Sequence, residues 1–294
     1  MAQKIRIQHY VPRFYLRNFA VKRGGGYAIR CFDKATQRAF EVSIDKVGAE
    51  KYFYDSNEDV EQQVEKTLGM YESLFNDAYR KLLKFRNFRL LKKLERKAIV
   101  FFVASQEIRT REMREDIRDM IKQIEERLSK ERMTEELRKE IQEAGREESI
   151  KSLHLKILTN DVPKFADIMG RMKWILLVNR TDKPLWTSDH PVGRYNPVDH
   201  GPYGSLGLLS QGINIYFPLS TALSLCLCDP ITYRSLPDKV DLTTENNVIF
   251  QNHLQVKFST RHVFSVGDDF SLARNMVKDH PDLGNLKRQR SVVR

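Results

Sequence analysis

"LERKAIVFFVASQEIRTREMREDIRDMIKQIEERL" (94–128) decides the architecture. Its first half is apolar nearly all round, and a helix without a polar face has to be covered on every side. Its second half is a charged helix with a narrow stripe at Ile117, Ile121, Ile124 and Leu128, at helical spacing. One helix over 94–128 is therefore expected to begin inside a body and emerge as an arm. Behind "SKERM", Thr134 followed by Glu135 and Glu136 marks a new N-terminus, where acidic side chains suit the helix dipole. Leu137 and Ile141 resume the stripe. Residues 112–150 thus read as a protruding charged helical hairpin closed by its own seam and inserted in a single domain, 1–294. A solvated arm without chemistry is one reading of it; a homo-oligomer or protein-partner contact is the other.

Outward toward the N-terminus, Ser56 stands three residues before Asp59, a capping-box spacing. Val60, Val64, Leu68, Leu74 or Phe75, Ala78 and Leu82 then predict one long amphipathic helix. Before it, "YAIRCFDKATQRAFEVSI" (27–44) reads as a hairpin around a polar connector, and "YFYD" (52–55) as a third strand. Outward toward the C-terminus, "KWILLVNR" (173–180), "PLWTSDHPV" (184–192), "INIYFPLS" (213–220) and "ALSLCLCD" (222–229) are runs of strand length. A helix over 244–260 and a short strand "HVFSV" follow, and 286–294 is expected to be a basic flexible tail. The fold class is α+β, a helical layer packed on a mainly antiparallel sheet.

Composition narrows the function classes. At 294 residues with 41% hydrophobic and 30% charged side chains, the chain can bury a core without staples. No run of about 18 apolar residues supports a membrane span, and no secretory leader is recognisable, so a cytoplasmic setting is expected. Cys226 and Cys228 would share a strand face two residues apart, a poor disulfide pair, and no spacing suits zinc. A formal net charge of +11 makes nucleic acid or a nucleotide a reasonable partner.

Five stretches can carry chemistry. In "QKIRIQHYVPRFYLRNF" (3–19), Pro12 forces Val11 extended and favours a helix start. His9 is thereby held just before an N-terminus, as a site imidazole or as a core histidine bonded to backbone. "TSDHPV" sets Ser188 and Asp189 before a turn, where they either cap their own backbone or offer a carboxylate for a metal or general base, with His190 beside it. Gln106, Arg109 and Arg111 stand where the buried helix emerges, and the first two share a face. A buried arginine wants a carboxylate, structural or a substrate phosphate. Asn252 and Gln255 lie one turn apart on the last long helix, to read a base or hold a loop, with Arg261 and His262 near its end. Finally, "RKLLKFRNFRLLKKLERK" (80–97) interleaves Phe85 and Phe88 with cations, suiting a single strand or a solvated corner.

"QHYVPRFYLRNFA", "ASQEIRT", "WTSDHPV", "YFPLS" and "NHLQ", in that order over nearly the whole chain, resemble the bacterial domain of unknown function 4238. The resemblance implies that His9, Gln106, Arg109, Ser188, Asp189 and Asn252 are recurring polar positions and form one site. The reading that follows is an intracellular enzyme acting on a phosphodiester, a nuclease or nucleotide hydrolase. Asp189 and His9 would be its catalytic and metal-holding pair, with Mg or Mn as candidate ions. Arg109 would neutralise phosphate, and Gln106, Ser188 and Asn252 would orient substrate. A non-catalytic nucleic-acid or nucleotide binding module, in a regulatory or defence setting, is the alternative. A structural component using the arm is the third.

Overall fold

The chain enters on β1 (Ile7–His9), which pairs antiparallel with β5 (Ala49–Lys51). It then turns at Pro12 into α1 (Arg13–Leu16). In this computed structural model, which describes residues 4–56, 62–129, 134–201 and 204–290, Pro12 itself is extended, at φ −64° and ψ 142°. The helix therefore starts one residue later than the proline ring suggested. Tyr15, Leu16 and Phe19 are fully buried, as expected of anchors. Between these strands come β2 (Val21–Arg23), β3 (Gly26–Asp33) and β4 (Arg38–Ser43), and β3 and β4 form the hairpin expected over 27–44. "YFYD" is a turn after β5 instead of a strand: Tyr52 takes a positive φ of 53°, and Phe53 and Tyr54 dive into the core.

The long amphipathic helix is α2 (Gln63–Phe85), burying Leu68, Phe75, Ala78 and Leu82. The capping start expected through Asp59 and Val60 lies outside the described residues. The single helix expected over 94–128 is two, α3 (Lys93–Ile108) and α4 (Arg111–Leu128). Tertiary bonds override periodicity at the joint. Thr110 is extended and its hydroxyl pairs with His190 Nδ1 at 2.6 Å, while the Arg109 side chain is drawn into the core. Thr134 caps α5 (Glu135–Ala144), accepting the Leu137 N–H. α6 (Glu147–Asn160) and α7 (Val162–Arg171) follow, neither anticipated from the sequence. α4 meets α6 over a small cluster of its own, Ile117, Ile121 and Ile150.

The second half supplies β6 (Lys173–Asn179), β7 (Thr187–Ser188), β8 (Gly193–Tyr195), β9 (Asn214–Ser220), β10 (Leu223–Cys228) and β11 (Lys239–Leu242). After them come α8 (Glu245–Phe258), β12 (His262–Ser265) and α9 (Ser271–Asp279). One sheet runs β11-β6-β10-β9-β8, antiparallel except for the β11–β6 edge. The other runs β2-β3-β12-β7, with β4 also on β3. The strand expected over 184–192 shrinks to two residues, because its remainder is held by side chains and not by a ladder. The fold is α+β with mainly antiparallel sheets.

Helices and the first sheet meet in an aromatic core. Phe102 of α3 lies edge-on to Phe217 of β9 at 5.7 Å, and Tyr15 stacks on Phe217 at 5.1 Å. Fully buried rings of this kind each contribute about 2–3 kcal/mol over exposure. The three cysteines are buried free thiols. Among the described residues, no helix is long and apolar enough to cross a membrane. The expected flexible tail is pinned over its described part. Arg288 is buried and donates to Glu112 at 2.5 Å and to the Ser259 carbonyl at 2.9 Å, and Arg290 N donates to Asp119 at 2.7 Å.

Candidate functional site

The joint between α3 and α4, the end of β1 and the loop from α8 to β12 close around one cleft of about 370 Å³. Tyr10, Lys46, Gly48, Glu50, Arg111, Glu115, Asp189, Thr260, Arg261 and His262 face it. Four of the stretches singled out in the sequence therefore meet here. They meet through other members than most of those chosen.

Asp189 is at the cleft's back. Its carboxylate is nearly sealed, and it accepts three backbone amides: Thr260 at 2.8 Å, Arg261 at 2.9 Å and His262 at 2.8 Å. The loop that ends α8 is folded on this one side chain. His262 begins β12 and its imidazole, a quarter exposed, brings Nδ1 to 3.9 Å from Asp189 Oδ2. Burial holds the imidazole pKa below its ordinary value, opposed by the charges of Asp189 and Asp33. His262 thus faces the cleft beside a fixed carboxylate, with burial favouring its uncharged form.

The opposite wall carries Tyr10 and Arg111. The Tyr10 hydroxyl has no hydrogen-bond partner among the described residues, and burial pushes its pKa well above the ordinary phenol value. Arg111 bridges Glu50 and Glu115, each at 2.8 Å. Arg261 clasps Asp33 with two nitrogens, at 3.0 and 2.6 Å. Behind the loop, the buried Lys34 ammonium donates to the carbonyls of Val256 and Ser259 at 2.9 and 2.6 Å, and burial pushes its pKa down to about 7. Gly48 sits at φ +61° with a virtual Cβ only 2.8 Å from Val11 Cβ, so any side chain there would strain the wall. Its carbonyl accepts the amides of Tyr10 and Val11, which fixes how the Tyr10 side chain enters the cleft.

Of the six positions the sequence put forward, Asp189 alone lines this cleft. His9 precedes Tyr10 at the strand end, and side chains alternate there. Its imidazole bonds the Ile44 backbone, its Nε2 is buried without a partner among the described residues, and burial and Arg13 lower its pKa to about 4. Arg109 is fully buried and structural. It donates to Tyr54 at 3.1 Å, Glu72 at 3.1 Å and the His9 carbonyl at 2.6 Å, leaving no face for a phosphate. Gln106 is sealed in α3 with both amide atoms unpartnered among the described residues. Ser188 donates to the His190 carbonyl and to Gln255. Asn252 accepts the Trp186 amide and donates to the Pro184 carbonyl, so the two amides of α8 hold the 184–191 loop.

The expected metal pair does not assemble. Both Asp189 oxygens are engaged by amides, and among the described residues no group of three or more His, Cys, Asp or Glu side chains is gathered to hold an ion. Hard divalent cations ask for several oxygens, so the side chains offer no set for Mg or Mn at His9 and Asp189.

The residues that sequence reasoning missed are neighbours of those it chose. Tyr10 follows His9, Arg111 was noted beside Arg109 without being given a role, and His262 was noted only near the end of a helix. No curated protein and no solved structure matches the chain. A family model does match it, over residues 7–269, and the chain belongs to that family, described as Protein of unknown function (DUF4238).

Proposed function

We propose that the chain is a phosphodiester-cleaving enzyme, a nuclease or nucleotide hydrolase, working at the Tyr10–Arg111–Asp189–His262 cleft. The observation that carries this reading is the His262 imidazole set 3.9 Å from a carboxylate that three amides hold in place. His262 takes a proton from an attacking water as the water oxygen bonds phosphorus. Asp189 stabilises the imidazolium that forms. Arg111 and Lys46 balance charge on the phosphoryl oxygens, and the Tyr10 hydroxyl, with its raised pKa, gives a proton to the leaving oxygen.

Hydrolysis of bis(p-nitrophenyl) phosphate and of a single-stranded oligonucleotide tests it. His262→Ala should cost about 100-fold or more in kcat, the usual worth of a positioned general base. Activity that survives His262→Ala and Tyr10→Phe in folded protein would remove this cleft as the active centre. A non-catalytic binding module is supported by the prior engagement of Arg111 and Arg261 with carboxylates. Tight, salt-sensitive nucleotide binding with no turnover would favour it.

A further inference from the structure

At the far end of α3 from that cleft, a second groove of about 650 Å³ opens between α3 and α7. Trp174 of β6 lies among its lining residues, only 3% exposed, and its indole N–H has no hydrogen-bond partner among the described residues. A buried donor without an acceptor costs about 1–3 kcal/mol, so this one calls for an acceptor from outside. Lys93, Arg96 and Lys97 line the same groove, and none has a carboxylate within ion-pair distance among the described residues. The groove's own acid, Asp167, is engaged by Arg171 at 2.5 Å. The Arg96 guanidinium lies 4.9 Å over the Trp174 ring and 5.4 Å over Phe88, which stiffens it with its N–H edges free.

We infer that this groove binds single-stranded nucleic acid, seating a backbone phosphate between the Trp174 N–H and the Lys93, Arg96 and Lys97 cations. A phosphate oxygen is the acceptor that both the orphan indole donor and the unpaired cations lack. Phe88, in edge contact with Trp174 at 5.6 Å, also lines a second hollow with Phe85, Arg86, Arg89 and Lys239, in which Asp238 is engaged by Arg89 at 2.6 Å. Phe85 is 47% exposed there, with the Lys84 ammonium 5.3 Å from its ring centroid, an aromatic and a cation beside each other for a base and its phosphate. A basic groove followed by a hollow with an exposed aromatic and the cations of Arg86 and Lys239 suits a flexible strand. A flat anionic membrane would meet the exposed Leu90 and Leu94 and leave the buried indole donor unpaired. This inference is independent of the cleft chemistry.

Fluorescence anisotropy with labelled oligothymidylate and oligouridylate of about 15 nucleotides tests it on the full chain. Wild type should bind with affinity that falls steeply with salt. Lys93→Glu/Lys97→Glu, two exposed changes, should weaken binding about 10-fold or more and flatten the salt slope by roughly one to two. The same double variant should leave bis(p-nitrophenyl) phosphate hydrolysis unchanged. With Trp186→Phe leaving Trp174 as the one emitter, oligonucleotide should quench the remaining fluorescence. Trp174→Phe, which keeps a ring and deletes the donor, should weaken binding several-fold. Unchanged oligonucleotide affinity in folded Lys93→Glu/Lys97→Glu would overturn the inference. So would phosphatidylserine vesicles that bind through these lysines while oligonucleotides do not bind.

Discussion

Asp189 Oδ2 accepts the backbone N–H of His262 at 2.8 Å while standing 3.9 Å from the Nδ1 of the same histidine. One carboxylate therefore sets both the course of the chain and the surroundings of the imidazole. Position 189 is consequently a structural residue first, and its substitution must be read in stability before it is read in rate.

Asp189→Ala should leave three buried amides without an acceptor. A loss of roughly 3–5 kcal/mol follows from unsatisfied buried donors that had faced a charge. Urea unfolding monitored by circular dichroism measures it. Asp189→Asn keeps one acceptor oxygen but points a donor at an amide, and should fall between Ala and wild type.

Arg109→Lys should destabilise by roughly 2–4 kcal/mol, because a single ammonium cannot serve Tyr54, Glu72 and the His9 carbonyl together. The Michaelis constant for a phosphodiester should stay within about twofold. A KM raised tenfold at unchanged stability would return Arg109 to the substrate site.

Acid should destabilise the fold through two imidazoles. His154 is fully buried; its Nε2 meets the Ile108 carbonyl at 2.7 Å and its Nδ1 receives Arg114 at 3.3 Å, and burial lowers its pKa to about 3. His9 is held down to about 4. Both folded values lie below the unfolded 6.5, so between 6.5 and the folded value the unfolded chain binds the extra proton. The stabilisation is complete above pH 6.5 and drains as pH falls, by at most about 1.4 kcal/mol per pH unit for the buried His154. Unfolding free energies at pH 7 and pH 5 check this. His154→Gln should remove about one proton from the slope.

Gly48→Ala should cost roughly 1–3 kcal/mol, since it combines a left-handed backbone with a contact on the rigid Val11 Cβ. It should also disturb the cleft, because the Gly48 carbonyl orients Tyr10. Thermal denaturation and kcat together report the two effects.

If His262 is the general base, log kcat/KM against pH should have its acid limb below 6.5, the side to which burial moves the imidazole. Replacement by glutamine should erase that limb along with the rate. A limb that persists in His262→Gln assigns the ionisation elsewhere.

Much of this was legible in the residues alone. Periodicity is a property of neighbouring side chains, so the stripe of α2, the 27–44 hairpin and the β9 and β10 runs could be read locally, as could the family. The break between α3 and α4 could not. Nothing local stops that helix; Arg109 and Thr110 leave it because their partners, His9 and His190, lie a hundred and eighty residues apart from each other in sequence and arrive only with the fold. The same limit governs the site. Sequence marked the stretches that converge, but which member of each turns to the cleft depends on the phase of a strand end or a helix joint, and that phase is fixed by packing. So Tyr10, buried against Phe53, reaches the cleft while half-buried His9 does not, and tertiary structure alone made Asp189 the hub of a loop seventy residues downstream.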